Sequence, residues 1–269
     1  MTSLKAWMGV GLTLAVVLGA AAAPWLAPDD PLRADFGRGL RPPATPGHPL
    51  GTDQLGRDLL ARVLYGARLA LFIGVCTVAV TAVVGGGLGL VAGFVERWPS
   101  AVLMRVADVQ LSFPFILLAM TINAIVGLGL RNVVLSLSAA GWVVYARVVR
   151  GEVLSVKQRD YVQAAAALGV GRARLLFRHV LPNVAPSVVV VASLQFSQFI
   201  VAEAAISFLG FGVQPPTPAW GSMLSESRDF LYVAWWLAAF PGAALALTAL
   251  GVNLLGDWLR DTLDPKLRV

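Results

Sequence analysis

Two carboxylates stand among long apolar runs of this 269-residue chain, Glu203 and Asp108. An ionisable group inside an apolar span is expensive, so each is a candidate for lining a path or moving an ion or proton. Structural roles stand beside both. Asp108 follows Arg105 by three residues, and an ion pair with Arg105 or a neighbouring arginine would account for it; an internal hydrogen bond would account for Glu203. A third set of residues suits mechanics rather than reaction. Asp160-Tyr161-Val162-Gln163 has the spacing of a capping box, with the Asp160 carboxylate accepting from the Gln163 backbone N–H while the Gln163 side chain reaches back. Other chemistries lack their residues. The single cysteine, Cys76, lies in an apolar run and allows no internal disulfide or cysteine metal cluster, and two histidines, His48 and His179, make a poor metal site. There is no Gly-Lys dipeptide and hence no P-loop, and neither H-E-x-x-H nor G-x-S-x-G occurs. Any energy source must come from elsewhere.

The elements that position these residues follow from composition. With 57% hydrophobic and 13% charged residues and a mean hydropathy of +0.74, the chain is a polytopic, all-α membrane protein. The net charge of +6 is spread over loops with no aromatic-basic patch, so membrane lipid and not nucleic acid is the expected polyanionic surface. Since about 20 apolar residues cross the hydrocarbon, the uncharged stretches predict six spans: Ala6 to Pro28, Leu69 to Val95, Val109 to Leu130, Asn132 to Ala146, His179 to Ala202 and Phe230 to Gly256. The fourth should extend past Arg147 and Arg150, which can snorkel. The fifth should begin after Pro186 and run past Glu203, and Ser112-Phe113-Pro114 should kink the third. A signal peptide competes for the first, given Lys5 and Ala21-Ala22-Ala23, but the apolar run continues to Ala27 and favours an uncleaved helix. Gly85, Gly89 and Gly93 make a small-residue face for close helix packing, and Trp235 and Trp236 an interfacial aromatic anchor.

Two polar segments break this pattern. Residues 1–68 hold the first helix and a Pro-rich stretch that should turn helical from Gln54, capped by Thr52 or Asp53; residues 69–269 hold the rest, interrupted by the polar handle from Gly151 to Pro186. In the handle, Ala164 to Ala167 propagate a helix from Asp160 to Leu168, Gly169 ends it, and Pro182 and Pro186 close the unit. Two turns cannot stand alone in water, so this helix must dock on its own protein, on headgroups or on a partner. An N-terminus inside places most of the 21 lysines and arginines in the cytoplasm, including those of the handle together with Arg97, Lys266 and Arg268. Both termini and the handle are then cytoplasmic.

Three dispersed stretches carry a resemblance. Gln163-Ala164-Ala165, Gly169 six positions on, and His179-Val180-Leu181-Pro182 after nine more residues resemble the EAA loop of binding-protein-dependent ABC import permeases. Gln163 replaces the usual Glu of that loop and His179 its usual Ile. The stretch from His48 to Leu71, with Gly51-Thr52-Asp53 and Gly56-Arg57-Asp58, and that from Glu203 to Glu226, with Phe208-Leu209-Gly210, Pro215-Pro216 and Trp220-Gly221, resemble the dipeptide, oligopeptide and nickel branch. The last span does too, leaving only the first 47 residues without family-specific signal. The resemblance implies the MetI-like permease fold in a bacterial inner membrane. It implies a heterodimer with a homologous permease subunit, two ATP-binding cassette ATPase subunits, which would use the ATP and Mg²⁺, and an extracytoplasmic substrate-binding protein. It assigns ATPase coupling to Asp160, Tyr161, Gln163, Ala164, Ala165, Gly169, Leu181 and Pro182, no catalytic residue, and no cofactor bound by this chain. The stretch His48 to Leu71 would touch the binding protein or the sister permease, or simply order the chain, and Pro215 to Trp220 would form a loop at the outer mouth. The implied cargo is a dipeptide or short oligopeptide imported by alternating access, with nickel as the alternative. From a different class, a self-sufficient channel or secondary transporter would use Glu203 and Asp108, but no internal repeat supports it.

Overall fold

In the computed structural model, residues 2–95 and 98–263 are described; Arg97, Lys266 and Arg268, which count toward the orientation, lie outside them. Helix α1, Thr2–Ala21, is followed by a single turn, α2, Ala23–Leu26. The Pro-rich stretch then leads into α3, Leu59–Val95, whose 37 residues reach about 55 Å. Next come α4, Trp98–Leu111; α5, Phe115–Val126; α6, Leu130–Lys157; and the short α7, Asp160–Ala167. A turn, α8, Arg172–Leu175, passes through a widened π-type turn into α9, Leu181–Phe208. The chain finishes with α10, Trp220–Glu226, and α11, Trp236–Leu263. Among the described residues five helices are long and apolar enough to cross a membrane, and a sixth crossing exists if α4 and α5 count as one span.

Packing follows the small residues. A Cβ on Gly93 of α3 would stand 2.7 Å from Val153 of α6, and one on Gly85 or Gly89 would collide with the Trp142 or Ala146 carbonyl, so the glycine face brings the α3 and α6 backbones into contact. The ends of the chain meet in the same way. Gly9 lies against Leu255 and Gly251 against Leu12, which lays α1 antiparallel on α11.

Several expected boundaries move. The third span is not kinked but broken: α4 and α5 diverge by 93° across Ser112 to Pro114, and α5 alone, 12 residues or about 18 Å, is too short to cross. Proline removes an N–H and disfavours helical geometry at Phe113, so a break is the stronger form of the expected kink. Conversely, Pro182 and Pro186 stop nothing. Pro182 falls in the first turn of α9, where its missing N–H is harmless, and Pro186 is carried inside the helix. The handle is therefore shorter than Gly151 to Pro186, since residues 151–157 complete α6 and residues 181–186 begin α9. The sixth span starts at Trp236 and not at Phe230. Trp236 is not an interfacial anchor either: it is buried and its indole N–H donates to the Thr52 carbonyl at 3.3 Å, while Trp235 stays exposed.

The Pro-rich stretch is also more built than expected. Helix α3 starts at Leu59 and not Gln54, and its cap is Asp58, whose carboxylate accepts from the Ala61 N–H at 2.7 Å. The boundary at 68/69 thus falls inside α3. Asp53 caps a local turn instead, accepting from the Leu55 and Arg57 N–H groups at 2.9 Å each. Residues 35–59 fold back on themselves through backbone pairs such as Leu40 with Asp53 and Leu59 with Gly51, with Gly51 and Gly56 at φ of +82° and +75°.

Candidate functional site

Helix α7 projects from the end of the bundle opposite the Pro-rich stretch, because α3 runs the whole length between them and Lys157, just before α7, contacts the Gly93 and Phe94 carbonyls at its far end. Its start differs from the capping box. The N-cap is Arg159, whose carbonyl accepts from the Gln163 N–H at 3.1 Å, and Asp160 is the first helical residue with no capping bond. A carboxylate there still favours the helix through the dipole. The Gln163 side chain does reach back, but to the Gln158 carbonyl at 3.3 Å. The end matches expectation. Gly169, at φ +81°, donates to the Ala166 carbonyl and Val170 to the Ala165 carbonyl, which together make a Schellman motif with Val170 packed near Ala165.

One face of α7 holds it to the protein. Val162 is 2% exposed and packs with Val156, Leu175, Val180 and Val184, with Ala165 and Val170 beside them. Burying Val162 contributes about 1.5 kcal/mol. The other face is bare: Tyr161 is 45% exposed and Leu168 85%, with Gln163, Ala164 and Gly169 exposed alongside and Phe177 of the π-type turn 64% exposed. Leu181 and Pro182 are exposed at the start of α9. Of the eight predicted residues, Ala165 thus serves packing, Asp160 and Gly169 shape the helix, and Tyr161, Gln163, Ala164, Leu181 and Pro182 present surface. Leu168 and Phe177 were missed, because an apolar residue beside a glycine or an arginine is not distinctive until its exposure is known. The handle is tied to the membrane helices: the Arg159 guanidinium donates to Asn183 Oδ1 at 3.1 Å, and Asn183 donates to the His179 carbonyl at 2.7 Å, on α9 and the turn before it.

The two membrane carboxylates are not together. Asp108, half exposed, pairs with Arg147 of α6 rather than with Arg105. Glu203 on α9 is 2% exposed; Ser207 Oγ donates to it at 2.6 Å and itself accepts from the Val213 N–H at 3.0 Å. That relay fastens residues 209–219 onto the end of α9, and they form an irregular loop that contains the expected one from Pro215 but stops at Ala219, since Trp220 begins α10. At the same end lies a cluster that no single stretch of sequence announces. Arg57 Nε bonds Asp53 at 2.5 Å, Arg62 Nε lies 3.4 Å from Asp53, and both guanidiniums reach Glu226 of α10 at 3.2 and 3.4 Å. Gln54 donates to Glu226 at 3.2 Å. Beside it His48 Nδ1 and the Asp58 carboxylate share a buried contact of 2.9 Å. Two arginines against two carboxylates balance in charge, which is the condition for burying such groups. The spacing of Asp53 and Arg57 was legible; Glu226, 169 residues later, was not.

An all-helical membrane chain with a short exposed helix braced at one end and a folded polar segment at the other matches known transport proteins along nearly its whole length. The profile of the family described as "Binding-protein-dependent transport system inner membrane component" matches residues 85–269. The chain is 44% identical to the di/tripeptide transport system permease protein DppC of Pseudomonas aeruginosa, over 97% of this chain and 88% of that protein. It is 42% identical to the dipeptide transport system permease protein DppC of Escherichia coli, over 97% and 89% of the two chains, and 45% identical to the glutathione transport system permease protein GsiD of Pectobacterium atrosepticum, over 82% and 73%. Family profile and relatives agree with the helices and the handle: this chain belongs to the binding-protein-dependent transport system inner membrane components, the multi-pass permeases of bacterial ABC transport systems.

Proposed function

We propose that the chain is one of two permease subunits of an ATP-driven importer of dipeptides or short oligopeptides in a bacterial inner membrane. The observation that carries this is the bare apolar face of α7. A helix of 8 residues with Tyr161 and the C-cap residue Leu168 turned outward is poorly suited to water and well suited to a groove on another protein. The ATPases, one under each permease, are the fitting partners, since this chain has no P-loop and α7 lies on the side where most positive charge accumulates. That side is the cytoplasm, with both termini; the Pro-rich stretch, α10 and the loop before it then face the binding protein and the outer mouth. ATP and Mg²⁺ are used by the ATPases alone. The brace from Arg159 to Asn183 makes α7 and α9 move together, so closure of the ATPases rocks α9 against its neighbours and exposes the path alternately to either side. Peptide is favoured over nickel because the relatives named above are di/tripeptide, dipeptide and glutathione permeases.

The test is to purify the complex that assembles on this chain, reconstitute it in liposomes with its binding protein, and follow labelled dipeptide and nickel. Dipeptide uptake that requires ATP is expected. Uptake of nickel in place of peptide would move the chain to the metal branch, and transport by this chain with no ATPase present would refute the importer.

A further inference from the structure

Where the broken span α4–α5 meets α9 and α11, an open cleft of about 510 Å³ is walled by Pro114, Phe115, Leu194, Val201 and Ala249, with Ser197, Gln198 and Asn253 as its polar groups. The register of its two long walls is fixed. Ser197 Oγ donates to the Ala249 carbonyl at 3.3 Å, and Gly256 lies against Ser193, where an added Cβ would stand 2.9 Å from the hydroxyl. Asn253 of α11 therefore lies level with the turn of α9 between Ser193 and Ser197, and lines the same cleft as Gln198.

Gln198 and Asn253 are exposed, and neither side-chain amide has a hydrogen-bond partner among the described residues. Each is ten residues, about 15 Å, from the nearer end of its helix. A primary amide facing hydrocarbon without a partner costs several kcal/mol, so this face does not look into lipid tails. Two other polar groups of α9 are held within the chain: Glu203 accepts from Ser207, and Ser193 donates to the Val190 carbonyl. Broken helices are tolerated at membrane depth where they border a cavity, and the break at Ser112 to Pro114 borders this one.

The geometry points to a peptide subsite: the side-chain amides of Gln198 and Asn253, facing one cleft from two helices, hydrogen-bond the backbone amides of a peptide in transit. This rests on the importer reading and deepens it by naming the residues and the chemistry. A primary amide and a peptide bond each carry an N–H donor and a C=O acceptor, so the two pair in either direction. The lining contains no charged residue, and its walls are otherwise apolar. Such a site reads the peptide backbone and is indifferent to cargo side chains. Neutral amides also hold cargo weakly, which release on the far side requires.

Two measurements test the subsite in the complete reconstituted importer. With dipeptides below saturation, Gln198→Leu combined with Asn253→Leu should lower ATP-driven uptake about thirtyfold, the loss of two neutral hydrogen bonds, in a complex that assembles with an unchanged thermal midpoint. The amide-preserving pair Gln198→Asn and Asn253→Gln should restore most of it. In a Cys76→Ser background, Gln198→Cys should react with a charged methanethiosulfonate reagent, and excess dipeptide should slow that reaction; a thiol facing lipid or packed on the sister permease stays protonated and unreactive. Undiminished uptake by the double leucine variant, or a Gln198→Cys thiol that no reagent reaches, would overturn the subsite. Absence of ATP-driven dipeptide uptake in the unsubstituted complex would instead refute the importer reading itself.

Discussion

Single residues divide here by what surrounds them, and charge alone does not tell which matter. Glu226 bridges two buried guanidiniums, so Glu226→Ala leaves Arg57 and Arg62 with half their compensation and should cost about 3 kcal/mol of stability. Asp108 and Arg147 form a half-exposed pair, and Asp108→Ala should cost under about 1 kcal/mol. Denaturation of the two variants side by side in detergent checks the contrast; equal losses would mean that the buried cluster carries no special weight. Glu203 acts as an acceptor for Ser207, which glutamine can replace. Glu203→Gln should therefore transport within about twofold of the unsubstituted chain, since a single neutral hydrogen bond is worth about 1 kcal/mol and this one is kept; abolished transport would give Glu203 a proton-carrying role. Sequence identified both membrane carboxylates but not the partner of Asp108, because Arg147 is 39 residues away and only packing of α4 on α6 unites them.

Helices, in contrast, were largely legible. Apolar length located every long helix, the glycine triplet marked the closely packed face of α3 without naming α6 as its partner, and Gly169 fixed the end of α7. What failed were the boundaries set by proline and by caps. Proline acts according to its place in the turn, which composition does not give: Pro114 broke a span while Pro182 and Pro186 were absorbed into another. The Asp160 cap failed because Arg159 took the N-cap position one residue earlier. Gly89 and Gly87 offer a test at this scale. A side chain on Gly89 meets the Ala146 backbone, whereas one on Gly87 meets nothing within 4 Å. Gly89→Leu should separate α3 from α6 and destabilise the chain by 2 kcal/mol or more, roughly the upper range of overpacking, with loss of the folded protein from membranes; Gly87→Leu should accumulate normally. Equal accumulation of the two would remove the glycine face from the account of the fold.

Across the whole molecule, the proposed import cycle depends on rigid connection between ends about 55 Å apart along α3. At one end the Pro-rich stretch is locked to α10 and α11 through Arg57, Arg62, Glu226 and the Thr52 contact of Trp236. At the other α7 is locked to α9 through Val162 and Arg159. Between them α9 borders the cleft, so displacement of α7 reaches the cleft through one continuous helix. The family was readable from three separated motifs; the cleft was not, since Gln198 and Asn253 lie 55 residues apart in chains of ordinary apolar sequence and only the antiparallel register of α9 and α11 places them together. Ala165 and Gly169 are the positions at which the proposed lever can be broken without touching the cleft. A proline cannot adopt the φ of +81° at residue 169 and removes the N–H that bonds Ala166, and an aspartate at residue 165 sets a charge against Val162 and Leu175. The most direct measurement is dipeptide uptake and ATP hydrolysis by the reconstituted complex carrying Gly169→Pro and Ala165→Asp together. Collapse of uptake and of binding-protein-stimulated hydrolysis, in a complex whose permease still inserts and folds, is the predicted result; uptake at the unsubstituted rate would contradict α7 as the coupling element.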